Sequence, residues 1–322
     1  MATRNIGYKI EYQISAQAGF CETTLMRELD YHLCDVFTSR PLEGNQLAVF
    51  LNATRLRPEQ MQAIAREMNL SETTFIHRRD KNVEHARGVR VRIFTTREEL
   101  PFAGHPTLGT ATAIRQLLPE YANAETITLD LNAGQVTVSF PANTEAASTA
   151  TFAEMKQLDP EFGPTHDAAT IAPMLGLRAE DIAPTPPQTV STGTAFCIVT
   201  LRSADALSRL KVDSTPSAPY LRESGARFFY TLAPDENETW RARMQFYNGE
   251  DPATGSAAGC AISYLVRHGL WPSAKRLHLR QGIEINRPSD LYLSANLADG
   301  KVSEVRVAGS TVPVAMGRLF LE

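Results

Sequence analysis

Residues 100–114 read LPFAGHPTLGTATAI, and residues 250–265 read EDPATGSAAGCAISYL. Each stretch passes through a glycine-containing turn beside proline into a helix rich in small residues. Each is followed, about 27–30 positions after its turn glycine, by another glycine between two strand-like runs, Gly134 and Gly282. Two units are too few for a stacked repeat array. They point instead to two pseudo-equivalent domains that face each other. A helix N-terminus leaves N–H groups unpaired at the positive end of the helix dipole, so it can hold an anion without a lysine. The run Thr254-Gly255-Ser256-Ala257-Ala258-Gly259 would let a ligand carboxylate approach the backbone, with Ser256 adding a hydroxyl donor. The same small residues equally allow tight packing of a helix inside a barrel, and both readings can hold together. The mirrored turn at Gly104-His105 favours a small polar ligand between two helix ends.

Outward from these two stretches, the chain reads mostly as strands. LDYHLCDVF (29–37) and LAVFL (47–51) are strand-like and are separated by polar residues and a turn at Gly44-Asn45. Pro58 opens a helix at its first turn. Within PEQMQAIAREMNL, Met61, Ile64, Ala65 and Met68 share one helical face. Ser71-Glu72-Thr73-Thr74 follows and hands over to the strand TFIHR. VRVRIFT (89–95) alternates as a half-buried strand. ITLDL and QVTVSF flank Asn132-Ala133-Gly134 as a hairpin. A stretch richer in Ala, Thr and Pro, from Pro141 to Pro187, marks the domain connection and holds one short helix, ATIAPMLGL. FCIVTL, RFFYTLA and RARMQFY read as strands, RLHLRQGIEI as strand, turn and strand, and VPVAMGRLFLE as a closing strand. The expected division is an extension over 1–28, a first domain over 29–148 and a second over 149–322. The final strand, 312–322, is free to pack back on the first domain.

The chain has 322 residues, 43 % of them hydrophobic, which is ample for a large core. Its net charge is -4 with both signs interspersed, and no basic stripe marks a nucleic-acid face. No run approaches the ~20 apolar residues of a membrane helix. Met1 to Glu28 has no long apolar core, so a secretory leader is not expected. Cys21, Cys34, Cys197 and Cys260 lie far apart, without zinc spacing or a disulfide framework, which fits a reducing cytoplasm.

The familiar phosphate-binding, dinucleotide-binding, serine-nucleophile and zinc-protease motifs are missing. What remains near the helix ends is one histidine and single carboxylates, an inventory suited to proton transfer by positioned side chains. Read singly, His105 is equally a structural histidine. Asp251 is equally a turn or capping residue, and Glu72 a solvated loop carboxylate.

Together, DVFTSRPLEGNQLAVF, REMNLSETTFI, RIFTTREELPFAGHPTLGTA and GEDPATGSAAG, in this order, closely resemble the PhzF family of phenazine-biosynthesis isomerases. The resemblance runs from about Leu29 to the C-terminal GRLFLE. It implies an α+β, diaminopimelate-epimerase-like fold: two similar domains, each a β-barrel-like sheet around a central helix, with the active site between them. It also implies a homodimer, no cofactor and no metal. Its substrate would be a small carboxylate, as in isomerisation of trans-2,3-dihydro-3-hydroxyanthranilate, where a proton leaves C3 and returns at C1. The family's base matches Glu72, its histidine His105 and its aspartate Asp251. Gly104, Thr254, Gly255 and Ser256 match the substrate-binding turns. Burial would raise the Glu72 carboxyl from ~4.3 toward neutrality.

Two positions depart from the family pattern: Gln46 replaces the proline after Gly44-Asn45, and Asn286 replaces a glycine after Gln281-Gly282. Asn tolerates left-handed backbone, so that second turn is expected to survive. The related two-thiol epimerases carry a cysteine at each helix start, and none of the four cysteines falls there. A carboxylate-based amino-acid racemase, another isomerase or carbon–carbon lyase of secondary metabolism, and a non-enzymatic binding protein stand as alternatives.

Overall fold

The computed structural model describes residues 27–141, 149–246 and 249–321, so most of the expected extension lies outside the described residues. β1 (Arg27–Val36) and β2 (Asn45–Phe50) pair antiparallel across the Gly44-Asn45 turn. α1 (Pro58–Met68) buries Met61, Ile64 and Ala65, the face set by their spacing, and Asn69 ends it at a left-handed φ of 51°. The chain then enters β3 (Glu72–His77), parallel to β2, so Glu72 is the first residue of a buried strand.

α2 (Lys81–Arg87) had no signal in the sequence, because its one buried residue is the charged Glu84. That carboxylate takes hydrogen bonds from the Arg78 side chain and the Arg79 backbone, which replaces apolar periodicity as the anchor. β4 (Val89–Phe94) alternates as expected, and β5 (Glu99–Leu100) pairs with it. After α3 (Gly104–Leu117), β6 (Thr126–Leu131) and β7 (Gly134–Ser139) form the expected hairpin, and β8 (Thr151–Lys156) follows.

The second half contains β9 (Glu161–Thr165), α4 (Ala168–Ile171), β10 (Gln188–Ser191) and β11 (Ala195–Thr200). Next come α5 (Ala204–Ser208), α6 (Ser214–Glu223), β12 (Phe229–Pro234) and β13 (Thr239–Arg243). The short pair β14 (Gln245–Phe246) and β15 (Gly249–Glu250) precedes α7 (Gly255–Arg267). β16 (Leu277–Gln281), β17 (Ser289–Ala298) and β18 (Lys301–Leu321) complete it.

Three local expectations change, and one helix is new. ATIAPMLGL is not one helix: α4 stops before Pro173, and a single 3-10 turn ends at Gly176 with φ 65°. RARMQFY breaks at Met244 instead of continuing as one strand, and Tyr247 lies outside the described residues. RLHLRQGIEI is a strand followed by a 3-10 turn, not by a second strand. Gly282 takes a left-handed φ of 77°, and its carbonyl accepts from the Arg287 N–H at 2.9 Å, folding the chain back. Asn286 is left-handed there, at φ 57°, as its substitution for glycine suggested. α6 was not anticipated because it carries Pro216 and Pro219; Asp213 caps it by accepting from the Thr215 N–H at 2.9 Å.

β18 joins the halves. Its first part pairs with β17, its middle with β8, and its last part with β1. The strands β1-β2-β3-β4-β6-β7-β8-β18 therefore close into a barrel around α3. β8 lies beyond residue 148, so this barrel draws strands from both sides of the expected division. The strands β18-β17-β16-β13-β12-β11-β10-β9 wrap α7 on the other side. This is the α+β, epimerase-like architecture.

Both central helices are buried all round, which favours small or apolar side chains and paired polar groups. Every residue of α3 from Gly104 to Ile114 is buried, and α7 is buried from Gly255 to Val266 except at Ser256. Thr107 Oγ1 donates to Ala103 O at 2.7 Å and Ser263 Oγ to Gly259 O at 2.7 Å within their own helices, and Thr110 Oγ1 donates to Thr74 Oγ1 of β3 at 2.8 Å, while the buried Thr112 Oγ1 has no hydrogen-bond partner within the protein.

Candidate active site

The two helix starts meet. A Cβ on Gly104 would lie 2.6 Å from both the carbonyl carbon of Gly255 and the nitrogen of Ser256. Only glycine lets the first turns of α3 and α7 come this close. Gly104 and Gly255 thus face each other behind the wall of a cavity of about 850 Å³, which is lined by Glu72, Asp251, Thr254 and Ser256. Ser256 is the one residue in the first turns of α7 left partly exposed, and it faces this cavity.

Asp251 is 7 % exposed and strongly bonded. Its Oδ2 accepts from Thr254 Oγ1 at 2.7 Å, and its Oδ1 from Asn45 Nδ2 at 2.8 Å and Ser71 Oγ at 3.4 Å. Burial pushes its carboxyl up to about 6, and these three bonds hold it from going higher. Gln281, fully buried on β16, shapes the turn. It donates to Asp251 O at 2.8 Å and to Thr254 Oγ1 at 3.0 Å. It accepts from Tyr230 Oη at 2.8 Å and from the Thr254 N–H at 3.1 Å. On the other side of α7, Gln157 Nε2 donates to Gly255 O at 2.9 Å.

Glu72 stands at the start of β3 with its side chain 17 % exposed, and its Oε2 is 3.5 Å from His105 Nε2. Burial, then the nearby Asp251 carboxylate, raises the Glu72 carboxyl to about 8, while the Arg227 guanidinium works against them. His105 is 3 % exposed, and burial pushes its imidazole down to about 3, so it is neutral over the physiological range. Its Nδ1 lies 3.2 Å from Asn45 Nδ2, and its Nε2 has no hydrogen-bond partner within the protein. A neutral histidine, a carboxyl that titrates near neutrality and a second carboxylate therefore converge beside the cavity. Such a set can remove a proton from carbon and return it.

The structure brings Glu72, Asp251, Thr254 and Ser256 onto one wall, and places His105, Gly104 and Gly255 just behind it. Asn45, Ser71, Gln281 and Arg227 carried no functional signal in the sequence. Asn45 read as a turn residue and Ser71 as part of the link before Glu72, while Gln281 and Arg227 reach the site from distant segments. Among the described residues, no cluster of three or more His, Cys, Asp or Glu side chains is arranged to hold a metal.

Residues 34–317 match the model of the phenazine biosynthesis-like protein family, PhzC-PhzF. The chain belongs to this family. It is 35 % identical over 294 residues to trans-2,3-dihydro-3-hydroxyanthranilate isomerase of Pseudomonas aeruginosa, covering 90 % of this chain and 99 % of that one. It is 34 % identical to an uncharacterised isomerase of Mesorhizobium japonicum, over 92 % of this chain and 100 % of the relative. A predicted epimerase from Pseudomonas aeruginosa superposes with a TM-score of 0.78 at 35 % identity, covering 91 % of this chain and 100 % of the other. A hydroxyproline epimerase from Agrobacterium vitis, with a TM-score of 0.61 at 10 % identity and 92 % coverage of each chain, shares the fold. This PhzF-family chain is an isomerase.

Proposed function

We propose that this PhzF-family isomerase moves a proton between two carbons of a small carboxylated ring, with Glu72 as the base, by the reaction for which its Pseudomonas relatives are named. The observation that carries this reading is the approach of Glu72 Oε2 to His105 Nε2, 3.5 Å, at the edge of the cavity that also holds Asp251. Ser256 and the start of α7 receive the substrate carboxylate. The Glu72 carboxylate takes a proton from one ring carbon. His105 and Asp251 hold the polar groups of the substrate while charge spreads over the ring, and Glu72 returns the proton to a second carbon on the same face. One carboxylate serves both steps, because a carboxyl raised toward neutral pH can take up the proton and give it back.

The same reading makes the protein a homodimer in the cytoplasm, working in secondary metabolism on a small molecule, apart from nucleic acid and membrane. The interspersed charges and net charge of -4 argue against a nucleic-acid partner, and among the described residues no helix is long and apolar enough to cross a membrane. Sedimentation of the purified protein tests the dimer. For the reaction, the purified chain is mixed with trans-2,3-dihydro-3-hydroxyanthranilate in deuterated water. Consumption with deuterium at the new C–H position is expected, and Glu72→Gln should abolish it. An active Glu72→Gln protein would overturn the assignment of the base. No turnover by the wild type would remove this substrate.

A further inference from the structure

We infer that Phe37 is a positioning residue: its ring, wedged between Gly309 and Gly255, holds the first turn of α7 where the substrate carboxylate is received. This rests on the proposed function in one respect: the carboxylate sits at Ser256 and the start of α7.

Phe37 follows β1 and takes a φ of 65°. A bulky residue avoids this left-handed region, because its Cβ crowds the following carbonyl oxygen. Such a conformation persists where the surroundings impose it, and it gathers at functional sites. Here β17 and β18 fix the backbone on either side of the strained residue. Phe37 O accepts from the Asp290 N–H at 2.7 Å, and the Thr38 N–H donates to Ser310 O at 3.0 Å. The side chain between these bonds is fully buried.

Two glycines make room for the ring. Gly309 lies inside β18 with an ordinary φ, so its backbone does not call for glycine. A Cβ there would collide with Phe37 Cδ1. Glycine inside a strand marks such a close approach. At the opposite edge of the ring, a Cβ on Gly255 would lie 3.0 Å from Phe37 Cζ and 3.2 Å from Gly104 Cα. The Gly255 carbonyl is tied by Gln157, and its Cα is confined between Phe37 and Gly104. Ser256, the next residue, faces the cavity.

The wedge matters because a helix start binds an anion through the direction of its free N–H groups. Space opened behind Gly255 would let the first turn of α7 settle away from the cavity, taking the Ser256 hydroxyl and those N–H groups with it. The strained backbone of Phe37 is what delivers the ring to this place. A relaxed residue 37 would leave the gap between the two glycines unfilled.

The test is calorimetric binding of anthranilate and of its neutral amide, anthranilamide. Both are titrated into the full chain and into its Phe37→Leu, Phe37→Met and Phe50→Leu variants. The ratio of the two affinities reports the hold on the carboxylate alone. Leucine drops the ring atoms that face Gly255 and keeps carbons beside Gly309, and methionine reaches back into the gap. Phe50 is also fully buried, but it packs on Phe75 in a separate cluster, so it controls for simple loss of core. The wild type is expected to bind anthranilate at least about tenfold more tightly than the amide. Phe37→Leu should shrink that ratio at least about fivefold, and Phe37→Met should bring it back to within about twofold of wild type. Phe50→Leu should lower the melting temperature and leave the ratio unchanged. A ratio unchanged in Phe37→Leu, an equal fall in Phe50→Leu, or no preference for the acid in the wild type would overturn the inference. These outcomes are separate from turnover of the dihydroanthranilate. A wild type that turns it over with a ratio indifferent to Phe37 keeps the proton-transfer reading and loses this one. A ratio that depends on Phe37 without turnover does the reverse.

Discussion

Asn45 Nδ2 donates to Asp251 Oδ1 at 2.8 Å, joining residues 206 positions apart. The amide has two hydrogens, and the Ala253 carbonyl, also at 2.8 Å, takes the other. One buried side chain at the start of β2 therefore clamps the turn that leads into α7. Asn45 is 1 % exposed, so neither acceptor would find water in its place without rearrangement. Asn45→Ala should cost about 1–3 kcal/mol of stability. It should also raise the Asp251 carboxyl, because the Asn45 bond is among those that lower it. Denaturant unfolding and a carbon-13 carboxyl titration check the two effects. A variant matching wild type in both would mean that the clamp carries no weight.

The pH dependence of the reaction follows from Glu72. A base must be ionised, so kcat/KM should climb with pH and level off above about 8. The Asp251 carboxylate raises the Glu72 carboxyl, so Asp251→Asn should move this limb to lower pH. His105, depressed to about 3, does not titrate in the window, so His105→Asn should change the rate and leave the limb where it is. A limb that moves with His105 instead would reassign the titrating group.

Stability should respond to the same carboxyl with a definite sign. The folded state raises Glu72 from its ordinary 4.5 to about 8, so it favours the protonated form. That contribution is complete below the unfolded value and is lost as pH rises through the folded one. Glu72→Gln has no proton to lose. Its melting temperature relative to wild type should therefore increase between about pH 4.5 and 8 and hold constant above that. Scanning calorimetry across that range checks the trend, and a flat difference would contradict it.

Gly104→Ala sets two local effects against each other. Alanine is favoured over glycine in a helix by about 1 kcal/mol, so α3 alone would gain. The added Cβ would meet the Gly255 and Ser256 backbone at 2.6 Å, where no flexible side chain can yield. The packing clash should win: the variant should unfold at lower temperature than wild type and lose most of its isomerase activity. Increased stability with full activity would show that the helix starts have room to separate.

Much of this molecule was determined locally. Alternation in VRVRIFT set a half-buried strand, the spacing of Met61, Ile64 and Ala65 set the inner face of α1, and two runs of small residues set helices that barrels could enclose. These patterns are legible because burial acts on each residue at the period of its own element. Glu72, His105 and Asp251 were named from motif resemblance, and no local rule would have singled them out. Only the tertiary structure decided that Gly104 and Gly255 face each other, that Asn45 and Gln281 hold the Asp251 turn, and that Arg227 shares a cavity with Glu72. Those relationships join segments far apart in the chain. The raised carboxyl of Glu72 is of the same kind, because it comes from burial and a neighbour 179 residues away, and neither exists until the barrels close around their helices.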